Sequence, residues 1–277
     1  MTYHLDSRQD LALRALLSHE GGGAACALCE GPPGCGKTAF GEELARRLDV
    51  PLVYALLHAW TDSDELFVGV DVAAAVAGDA ASVRQPGVLA RAAQLSLEQQ
   101  VVLVLDEVDK TSERCEALLL DFLQSGRVPT RPGEHVQANL GRIMVIITSN
   151  GERELSQALL RRCRRVRFEP LPTAIVREIV RERTNAPAGV VTTTIKACRT
   201  LSEKESVDLS PQEVAHATRE IWTLAQSRDD VVEILLGWAV RCTPPSPDIL
   251  KSVADPVWGE VMIARRNVPA HAGVNRN

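Results

Sequence analysis

The run "GPPGCGKT", residues 31–38, constrains this chain more than any other part of its sequence. It matches the pattern G-x-x-x-x-G-K-[ST], with an apolar stretch, "AACALC", before it and helix-forming residues, "TAFGEELARRL", after it. A strand, a glycine-rich turn and a helix in this order gather backbone N–H groups and the positive end of the helix around one point. We therefore expect this run to bind phosphate.

Each residue of the run has a part in this interpretation. The glycines let the backbone curl so that N–H groups point inward, Lys37 supplies a mobile cation, and the Thr38 hydroxyl is suited to hold Mg²⁺. The residues expected to contact the nucleotide are Gly31, Pro32, Pro33, Gly34, Cys35, Gly36, Lys37, Thr38 and Ala39.

The cysteines near this run do not indicate a metal or redox site. Cys26 and Cys29 are three residues apart in a predicted strand, so their side chains point to opposite faces, and Cys35 occupies a variable loop position. No second C-x-x-C or histidine pair completes a zinc set, and the remaining cysteines stand alone: Cys115, Cys163, Cys198 and Cys242. We predict neither a disulfide framework nor a metal framework.

Composition and apolar patterning indicate an α/β fold. Of the 277 residues, 45% are hydrophobic and 24% charged, as in ordinary globular proteins, but only 4% are aromatic. A core of Ala, Val, Leu and Ile suits a parallel sheet covered by helices on both faces. Five strand-length runs alternate with helical patterns: "AACALC", "LVYALL", "VVLVL", "IMVIIT" and "RVRF". We predict a five-stranded parallel sheet sandwiched by helices.

The patterning changes at "EPLPTA", residues 169–174, which predicts a second domain. Beyond it, helical spacing recurs at residues 173–184, 193–202, 212–225, 230–241 and 248–264. The expected organisation is an N-terminal helix in residues 1–20, a nucleotide-binding α/β domain in residues 21–172, a small all-helical lid domain in residues 173–265 and a disordered tail in residues 266–277. Trp222, Trp238 and Trp258 are expected in the core of the lid.

Polar residues follow two of the predicted strands. "VVLVLDEVDK" contains Asp106 and Glu107 after its apolar run, and "IMVIITSN" ends in Asn150. The carboxyl ends of parallel strands meet at one edge of a sheet, beside the phosphate-binding turn. There Asp106 and Thr38 are suited to hold Mg²⁺, and Glu107 is suited to polarise water for in-line attack on a γ-phosphate. The Asn150 amide is suited to orient that water.

Several nucleotide-binding classes are not supported. A GTPase needs Asn-Lys-x-Asp and D-x-x-G motifs, which do not occur, and "LSPQE" at residues 209–213 lacks the paired glycines of an ABC-transporter signature. "DEVD" is similar to a helicase box, but the helical part after Pro170 leaves no room for a second sheet domain. The net charge of −5 makes nucleic acid an unexpected partner, although a local basic patch stays open.

The chain is expected to be cytoplasmic and without a membrane segment. Its longest apolar runs are of strand length, far short of a bilayer span. The N-terminus, "MTYHLDSRQD", has charges and no signal-peptide core.

These motifs together resemble those of AAA+ ATPases. "GPPGCGKT" is similar to Walker A, Asp106-Glu107 to Walker B and Asn150 to sensor 1. Three stretches, "WTDSDELFVGVD", "RQPGVLARAA" and "HVQANLGRIMVIITSNGERELSQALLRRC", resemble the MoxR branch, in which an insert interrupts the second helix and a hairpin precedes sensor 1. The resemblance runs from about residue 28 to residue 172. It implies an ATPase that uses ATP and Mg²⁺.

The resemblance also implies that an arginine of one subunit completes the ATP site of its neighbour. Arg162 matches this arginine finger best, and the adjacent Arg161 is the second candidate. Arg164, Arg165 and Arg167 are expected to be surface charge. The alternative for the whole cluster is a solvated strand edge or a nucleic-acid-binding patch.

Three features of the family stay open. Many AAA+ proteins carry a sensor-2 arginine at the start of a lid helix, where this chain has Gln212, so sensor 2 is either absent or supplied by another residue such as Arg219. "FVG", formed by Phe67, Val68 and Gly69, is similar to the pore loops of threading unfoldases, although packing is the simpler explanation. The hairpin expected at residues 127–142 is another candidate for contact with a client.

The resemblance finally implies a homo-oligomer, a hexameric ring, that remodels or matures a protein client, often with a von Willebrand A-domain partner. Two other functions stay open: a nucleic-acid-directed motor of the clamp-loader or branch-migration type, and a nucleotide-dependent scaffold with slow turnover. DNA-stimulated hydrolysis with a steep salt dependence would indicate the motor. Stimulation by a protein partner alone would indicate the remodelling ATPase, which is the function we expect.

Overall fold

The computed structural model describes residues 3, 5–19, 23–70, 76–78, 84–131, 134–203 and 209–267. Contacts within the chain divide these residues into two compact units. The first falls in Thr2–Pro32 and Gly36–Glu169, and the second in Pro33–Cys35 and Pro170–Asn277. The predicted disordered tail lies outside the described residues from residue 268 onward.

Nine strands belong to the described part of the first unit: β1 (Ala25–Glu30), β2 (Leu52–Leu56), β3 (Val68–Val70), β4 (Arg84–Pro86), β5 (Val101–Asp106), β6 (Arg127–Arg131), β7 (Glu134–Gln137), β8 (Ile143–Ser149) and β9 (Arg164–Arg167). Five of them form a parallel sheet in the order β2-β5-β8-β1-β9. β5 and β8 are buried along their whole length, which explains their continuous apolar runs. The predicted five-stranded α/β fold is confirmed.

Six helices of this unit are described: α1 (Ser7–Leu17), α2 (Lys37–Leu48), α3 (Ser63–Leu66), α4 (Val88–Glu98), α5 (Glu113–Ser125) and α6 (Gln157–Leu160). The sequence predicts a longer helix than α6, over residues 155–161. It is limited to one turn because Ser156 caps its N-terminus and β9 begins soon after it.

α2 packs closely against the central sheet through a glycine. A Cβ atom on Gly41 would lie 2.4 Å from Val104 Cγ2, so only a glycine lets the helix approach β5 at this distance. Since α2 directly follows the glycine-rich run, this packing places the start of the helix beside the end of β5.

Glu43 on α2 provides a test of how this helix is held. Its buried carboxylate accepts hydrogen bonds from Arg46 and Arg47, and the Arg46 bonds in particular lower its pKa from 4.5 to about 2, against the effect of burial. We expect Glu43→Gln to destabilise the fold by about 1 kcal/mol at neutral pH, a loss of a few degrees in Tm.

The pH dependence of this loss has a defined sign. Because the pKa is lower in the folded chain, the carboxylate stabilises the fold fully above pH 4.5, and this contribution disappears as the pH falls towards 2. The Tm difference between the two proteins should therefore narrow below pH 4.5. Glu42→Gln, at an exposed neighbouring position, is the control. A Tm gap that stays constant down to pH 3 would contradict this account.

Two small antiparallel pairs accompany the central sheet. β6 and β7 form the hairpin expected near residues 127–142, followed by a short 3-10 helix at Leu140–Arg142. β3 and β4 form a second antiparallel pair, which the sequence did not predict. Phe67, just before β3, is only 6% exposed and belongs to the core, which favours packing as the explanation of "FVG".

From residue 170 onward, the regular elements of the described residues are all helices: α7 (Thr173–Thr184), α8 (Ala188–Glu203), α9 (Pro211–Thr223), α10 (Arg228–Ala239) and α11 (Pro247–Arg266). These helices share a core of their own, and Trp222, Trp238 and Trp258 pack against it partly buried. α8 begins earlier than the predicted residue 193. Burial of Val190 and Val191 outweighs the weak helix propensity of "VVTTTI".

Among the described residues, no helix combines the length and the apolarity needed to cross a membrane.

Candidate functional site

The predicted phosphate loop, residues 31–38, joins β1 to α2. Gly36 is the N-cap of α2 and has a φ of 95°, a left-handed conformation that side chains other than glycine's rarely adopt. A Cβ atom on Gly31 would lie 2.3 Å from the carbonyl oxygen of Phe168. Pro33 and Gly34 are exposed, Cys35 and Lys37 are buried, and Gly31, Pro32, Gly36, Thr38 and Ala39 are half-buried. The loop therefore depends on its glycines for its path.

Lys37 holds its ammonium group against the phosphate loop. Its Nζ donates hydrogen bonds of 2.7 Å to the carbonyl oxygens of Gly31 and Pro32. The residue is only 7% exposed, so the charge lies at the loop rather than in solvent. An anion bound in the loop would compete with these two carbonyls for the ammonium group.

Asp106, at the end of β5, binds three hydroxyl groups. Thr38 Oγ1 lies 2.9 and 3.0 Å from its two carboxylate oxygens, Thr148 Oγ1 donates to Oδ1 at 2.5 Å, and Tyr54 Oη donates to Oδ2 at 3.1 Å. The carboxylate is only 9% exposed. The predicted phosphate loop and the residue predicted as Walker B, Asp106, are thus joined directly through Thr38.

The hydroxyl of Tyr54 stays protonated in this arrangement. Burial, followed by the charge of Asp106 and the hydrogen bond to it, raises the pKa of Tyr54 to about 12. Tyr54 therefore remains a donor to Asp106 across the physiological pH range.

Glu107 lies next to Asp106 in a conformation that is unusual for a residue other than glycine, with φ 60° and ψ 46°. Its backbone N–H donates to Thr148 Oγ1 at 2.9 Å. Its carboxylate accepts a hydrogen bond from Asn150 Nδ2 at 3.1 Å and forms an ion pair with Lys110 Nζ at 2.9 Å. The hydrogen bond to Glu107 also raises the pKa of Lys110.

Three residues of this site are absent from the sequence prediction: Tyr54, Lys110 and Thr148. Lys110 closes "DEVDK" and Thr148 precedes Asn150 in "ITSN", so both were next to predicted residues. Tyr54 carries no local signal, because it lies on an edge strand and reaches Asp106 through the β2–β5 pairing.

The donor set fits a nucleoside triphosphate with Mg²⁺. The Thr38 hydroxyl and the Asp106 carboxylate are hard oxygen ligands of the kind that Mg²⁺ prefers, and they already contact each other. Lys37 and the N-terminal end of α2 supply positive charge for phosphate groups. Glu107 and Asn150 supply a carboxylate and an amide that can act on one water molecule.

Both candidate fingers are exposed at the end of α6. Arg162 donates from Nη1 to the carbonyl oxygen of Ala158 at 3.1 Å and from Nη2 to Gln124 Oε1 at 2.7 Å. The Arg161 side chain makes no hydrogen bond or ion pair with the part of the chain that the structure describes. Arg162 is the closer match by sequence, yet its guanidinium forms two hydrogen bonds within the chain, whereas that of Arg161 forms none with the described residues.

The other arginines of the cluster lie in β9, at the edge of the sheet. Arg165 forms an ion pair with Glu30 of the neighbouring strand, with Nε 2.7 Å from Oε2. Arg164 and Arg167 are exposed. All three positions agree with a role as surface charge.

In the second unit, the two sensor-2 candidates differ in their contacts. Gln212 is exposed in the first turn of α9, a helix capped by Ser210 and Glu213. Arg219, further along the helix, donates from Nη2 to the carbonyl oxygen of Arg183 at 2.7 Å. In this structure the Arg219 guanidinium thus binds the backbone of the second unit itself.

Cys163, which stands alone in the sequence, has a cysteine neighbour in the structure. Its Sγ lies 2.9 Å from Cys26 Sγ in the core, and this contact and burial raise the pKa of Cys26 well above its usual value. The two residues meet because β1 lies beside β9 in the sheet, which spacing along the chain does not reveal. All seven cysteines lie in the described part of the chain and none forms a disulfide, and the described residues contain no cluster that could hold a metal ion.

Comparison with known proteins gives the following similarities. The sequence model of a family described as AAA domain (dynein-related subfamily) matches residues 27–163. The denitrification regulatory protein NirQ of Stutzerimonas stutzeri is 27% identical over 227 residues, which cover 80% of this chain and 78% of that protein. The Lon protease of Mycolicibacterium smegmatis is 28% identical over 167 residues, 56% of this chain but 20% of that protein. Among solved structures, a mutant of Thermotoga maritima RuvB matches 93% of this chain and 86% of its own, with a TM-score of 0.46 and 15% identity.

Proposed function

Residues 27–163 belong to the AAA family, in its dynein-related subfamily, and on that premise we propose that this chain is an ATPase that acts on a protein client as a ring of identical subunits. The relationship to AAA+ proteins of the MoxR type that the motifs predict is confirmed. Such proteins are P-loop NTPases, and nucleotide binding follows from the family. ATP hydrolysis, the use of Mg²⁺ and the identity of the partner are our proposal.

One observation carries the proposal of hydrolysis. A continuous chain of hydrogen bonds links the phosphate loop to the predicted base and the predicted water-orienting amide, through Thr38, Asp106, Thr148, Glu107 and Asn150. A loop that only bound phosphate would not need a carboxylate and an amide at hydrogen-bond distance from each other on the neighbouring strand ends.

The proposed steps follow from the position of each side chain. Lys37 exchanges its loop carbonyls for phosphate oxygens and so binds the triphosphate. Thr38 and Asp106 would hold Mg²⁺, which would supply positive charge to the phosphate groups. Asn150 orients a water molecule, and Glu107 takes its proton as the water oxygen attacks the γ-phosphorus and the bond to the β-phosphate oxygen breaks.

Lys110 has a defined place in this scheme. Its ammonium group lies 2.9 Å from Glu107 Oε2. This ion pair and the hydrogen bond from Asn150 Nδ2 hold the Glu107 carboxylate at the end of β5, beside Asp106. Lys110 therefore positions the proposed base.

Members of this family generally work as oligomers, and the exposed arginines support a site shared between subunits. Arg161 and Arg162 lie on the surface at the end of α6, so a second copy of the chain has access to them. In a ring, each subunit would supply one of them to the ATP of its neighbour, where the positive charge stabilises the transferring phosphoryl group. We propose a hexamer on the family resemblance.

The proposal of a protein client rests on the relatives and on the hairpin. A relative named as a regulatory protein is similar over most of both chains. The β6–β7 hairpin carries exposed polar residues, among them Arg127, His135 and Gln137, on a surface that a partner can reach. A von Willebrand A-domain protein is the partner that the MoxR resemblance suggests.

Mixing two inactive variants tests the shared site. Chains with Glu107→Gln keep the finger and lack the base, and chains with Arg161→Ala and Arg162→Ala keep the base and lack the finger. Each variant alone should lose about 1,000-fold or a similar factor in turnover. Mixed in equal amounts and at random, they should regain about a quarter of the wild-type rate, because one site in four combines a base with a neighbour's finger.

Arg164→Ala is the control for this experiment. It removes a nearby exposed arginine and should leave the ATPase rate close to that of the wild type. If no mixing ratio restores turnover, the site is complete within one chain and the proposal is wrong. Stimulation by DNA with a steep salt dependence would identify a nucleic-acid motor instead.

A further inference from the structure

Glu116, a buried carboxylate of α5, binds the loop that follows β8. It is only 2% exposed. Its Oε1 accepts a hydrogen bond from the backbone N–H of Ser156 at 2.8 Å, and its Oε2 accepts one from Arg153 Nη2 at 3.0 Å. A buried charge is tolerated only when its oxygens are well paired, and here both are paired with the same loop. Glu116 therefore ties residues 153–156 to α5.

The backbone that Glu116 holds is the start of the helix that leads to the candidate fingers. Ser156 is the N-cap of α6, and its Oγ accepts a hydrogen bond from the N–H of Leu159 at 3.3 Å. α6 ends at Leu160, so Arg161 and Arg162 follow after one turn. Such a short helix has no stability of its own, and its position depends on how its ends are held.

A second buried carboxylate anchors the other end of the same loop. Asp109, which is 3% exposed, accepts hydrogen bonds at Oδ2 from the backbone N–H groups of Asn150 at 3.0 Å and Glu152 at 2.9 Å. It lies in the short 3-10 helix Val108–Lys110, directly after Glu107. The loop is thus held by Asp109 beside the proposed site of its own subunit and by Glu116 beside the fingers.

Two polar groups of this region stay unpaired among the described residues. They are Asp109 Oδ1 and Arg153 Nε, both buried. Unpaired buried polar groups lower the free energy of unfolding, so contacts of Asp109 and Glu116 that served stability alone would be expected to leave no such group. These contacts are better explained by the positions that they impose on Asn150 and on α6.

We propose that Glu116, with Arg153 as its partner, is a positioning residue for the arginine that serves the ATP site of the neighbouring subunit. This inference rests on the proposed function, in which Arg161 or Arg162 acts across the interface. Glu116 acts through Ser156 and α6 and does not touch the nucleotide. Its loss should therefore impair the site that its subunit serves as a neighbour, and leave intact the site that its own subunit forms.

The mixing experiment separates these two sites. Donor chains carry Glu107→Gln, acceptor chains carry Arg161→Ala and Arg162→Ala, and Glu116→Gln is added to one or the other. Glutamine keeps a carbonyl oxygen for the Ser156 N–H and removes the charge that Arg153 binds. We expect Glu116→Gln to lower the restored ATPase rate about tenfold in the donor, and to change it by less than about twofold in the acceptor.

A matched control lies on the same helix. Glu113, an exposed carboxylate in the first turn of α5, forms no hydrogen bond or ion pair with the loop among the described residues, so Glu113→Gln should leave the restored rate unchanged in either chain. If thermal melting shows that the Glu116→Gln protein does not fold, Arg153→Gln takes its place in both the donor and the acceptor experiment. This variant removes the same ion pair by changing a side chain that is 29% exposed.

Each remaining outcome overturns the inference. Equal losses in donor and acceptor would reveal a general structural role, and no loss in either would show that α6 is positioned without Glu116. If donors without the Glu116 change restore no activity, the proposed function fails, and the inference fails with it. If they restore activity that Glu116→Gln does not alter, the inference alone fails.

Discussion

Replacing Glu107 with glutamine is expected to lower ATP turnover by about 100- to 10,000-fold while ATP affinity stays within about threefold. The amide cannot take a proton from water, but it has the same size and keeps an oxygen that can accept the hydrogen bond from Asn150. Phosphate release by the assembled protein measures the first quantity, and equilibrium titration with a fluorescent ATP analogue measures the second.

A nearby carboxylate provides the control for this variant. Glu152 is exposed, and its carboxylate lies 3.8 Å from the same Lys110 ammonium group, so Glu152→Gln removes a charge close to the site without removing the base. Its turnover should stay close to that of the wild type. Unchanged turnover in Glu107→Gln would exclude Glu107 as the base, and equal losses in both variants would point to a general effect of charge.

Replacing Lys37 with alanine is expected to weaken ATP binding at least about 100-fold, which corresponds to about 2.8 kcal/mol. The variant loses the cation that lies against the loop, and it leaves the carbonyl oxygens of Gly31 and Pro32 without this donor. Both effects act on the same loop, so affinity should fall together with turnover. Equilibrium titration with ATP and Mg²⁺ measures the change.

The control must separate a local loss of charge from a loss of fold. Lys196 is an exposed lysine on α8, and Lys196→Ala should leave ATP affinity unchanged. Circular dichroism and thermal melting should show that Lys37→Ala keeps its helices and a cooperative transition. Tight ATP binding by a folded Lys37→Ala protein would contradict the assignment of residues 31–38 as the phosphate-binding loop.

The fold class could be read from the sequence, and the site residues could be proposed from it, because the signals for both are local. A strand buried on both faces needs a continuous apolar run, and a turn with left-handed backbone, as at Gly36, needs glycine. Element boundaries were less accurate where neighbouring structure decided them. α8 starts early because Val190 and Val191 are buried, and α6 is short because Ser156 caps it.

The order of the strands is not written in any local pattern, and it decides which side chains meet in the site. Tyr54 and Thr148 both reach Asp106 because β2 and β8 lie on either side of β5, although they are 52 and 42 residues away along the chain. The contact between Cys26 and Cys163 likewise depends on the placement of β1 next to β9.

By itself, the sequence determined the five strands of the central sheet, and it predicted the phosphate loop and the acidic pair that follows a buried strand, because each is specified by residues adjacent in the chain. Only the tertiary structure decided that hydroxyl groups surround Asp106, that Lys110 and Asn150 share Glu107, and that Glu116 holds the start of α6. These contacts join residues through the packing of separate elements, and their geometry exists only once the sheet has formed in the order β2-β5-β8-β1-β9.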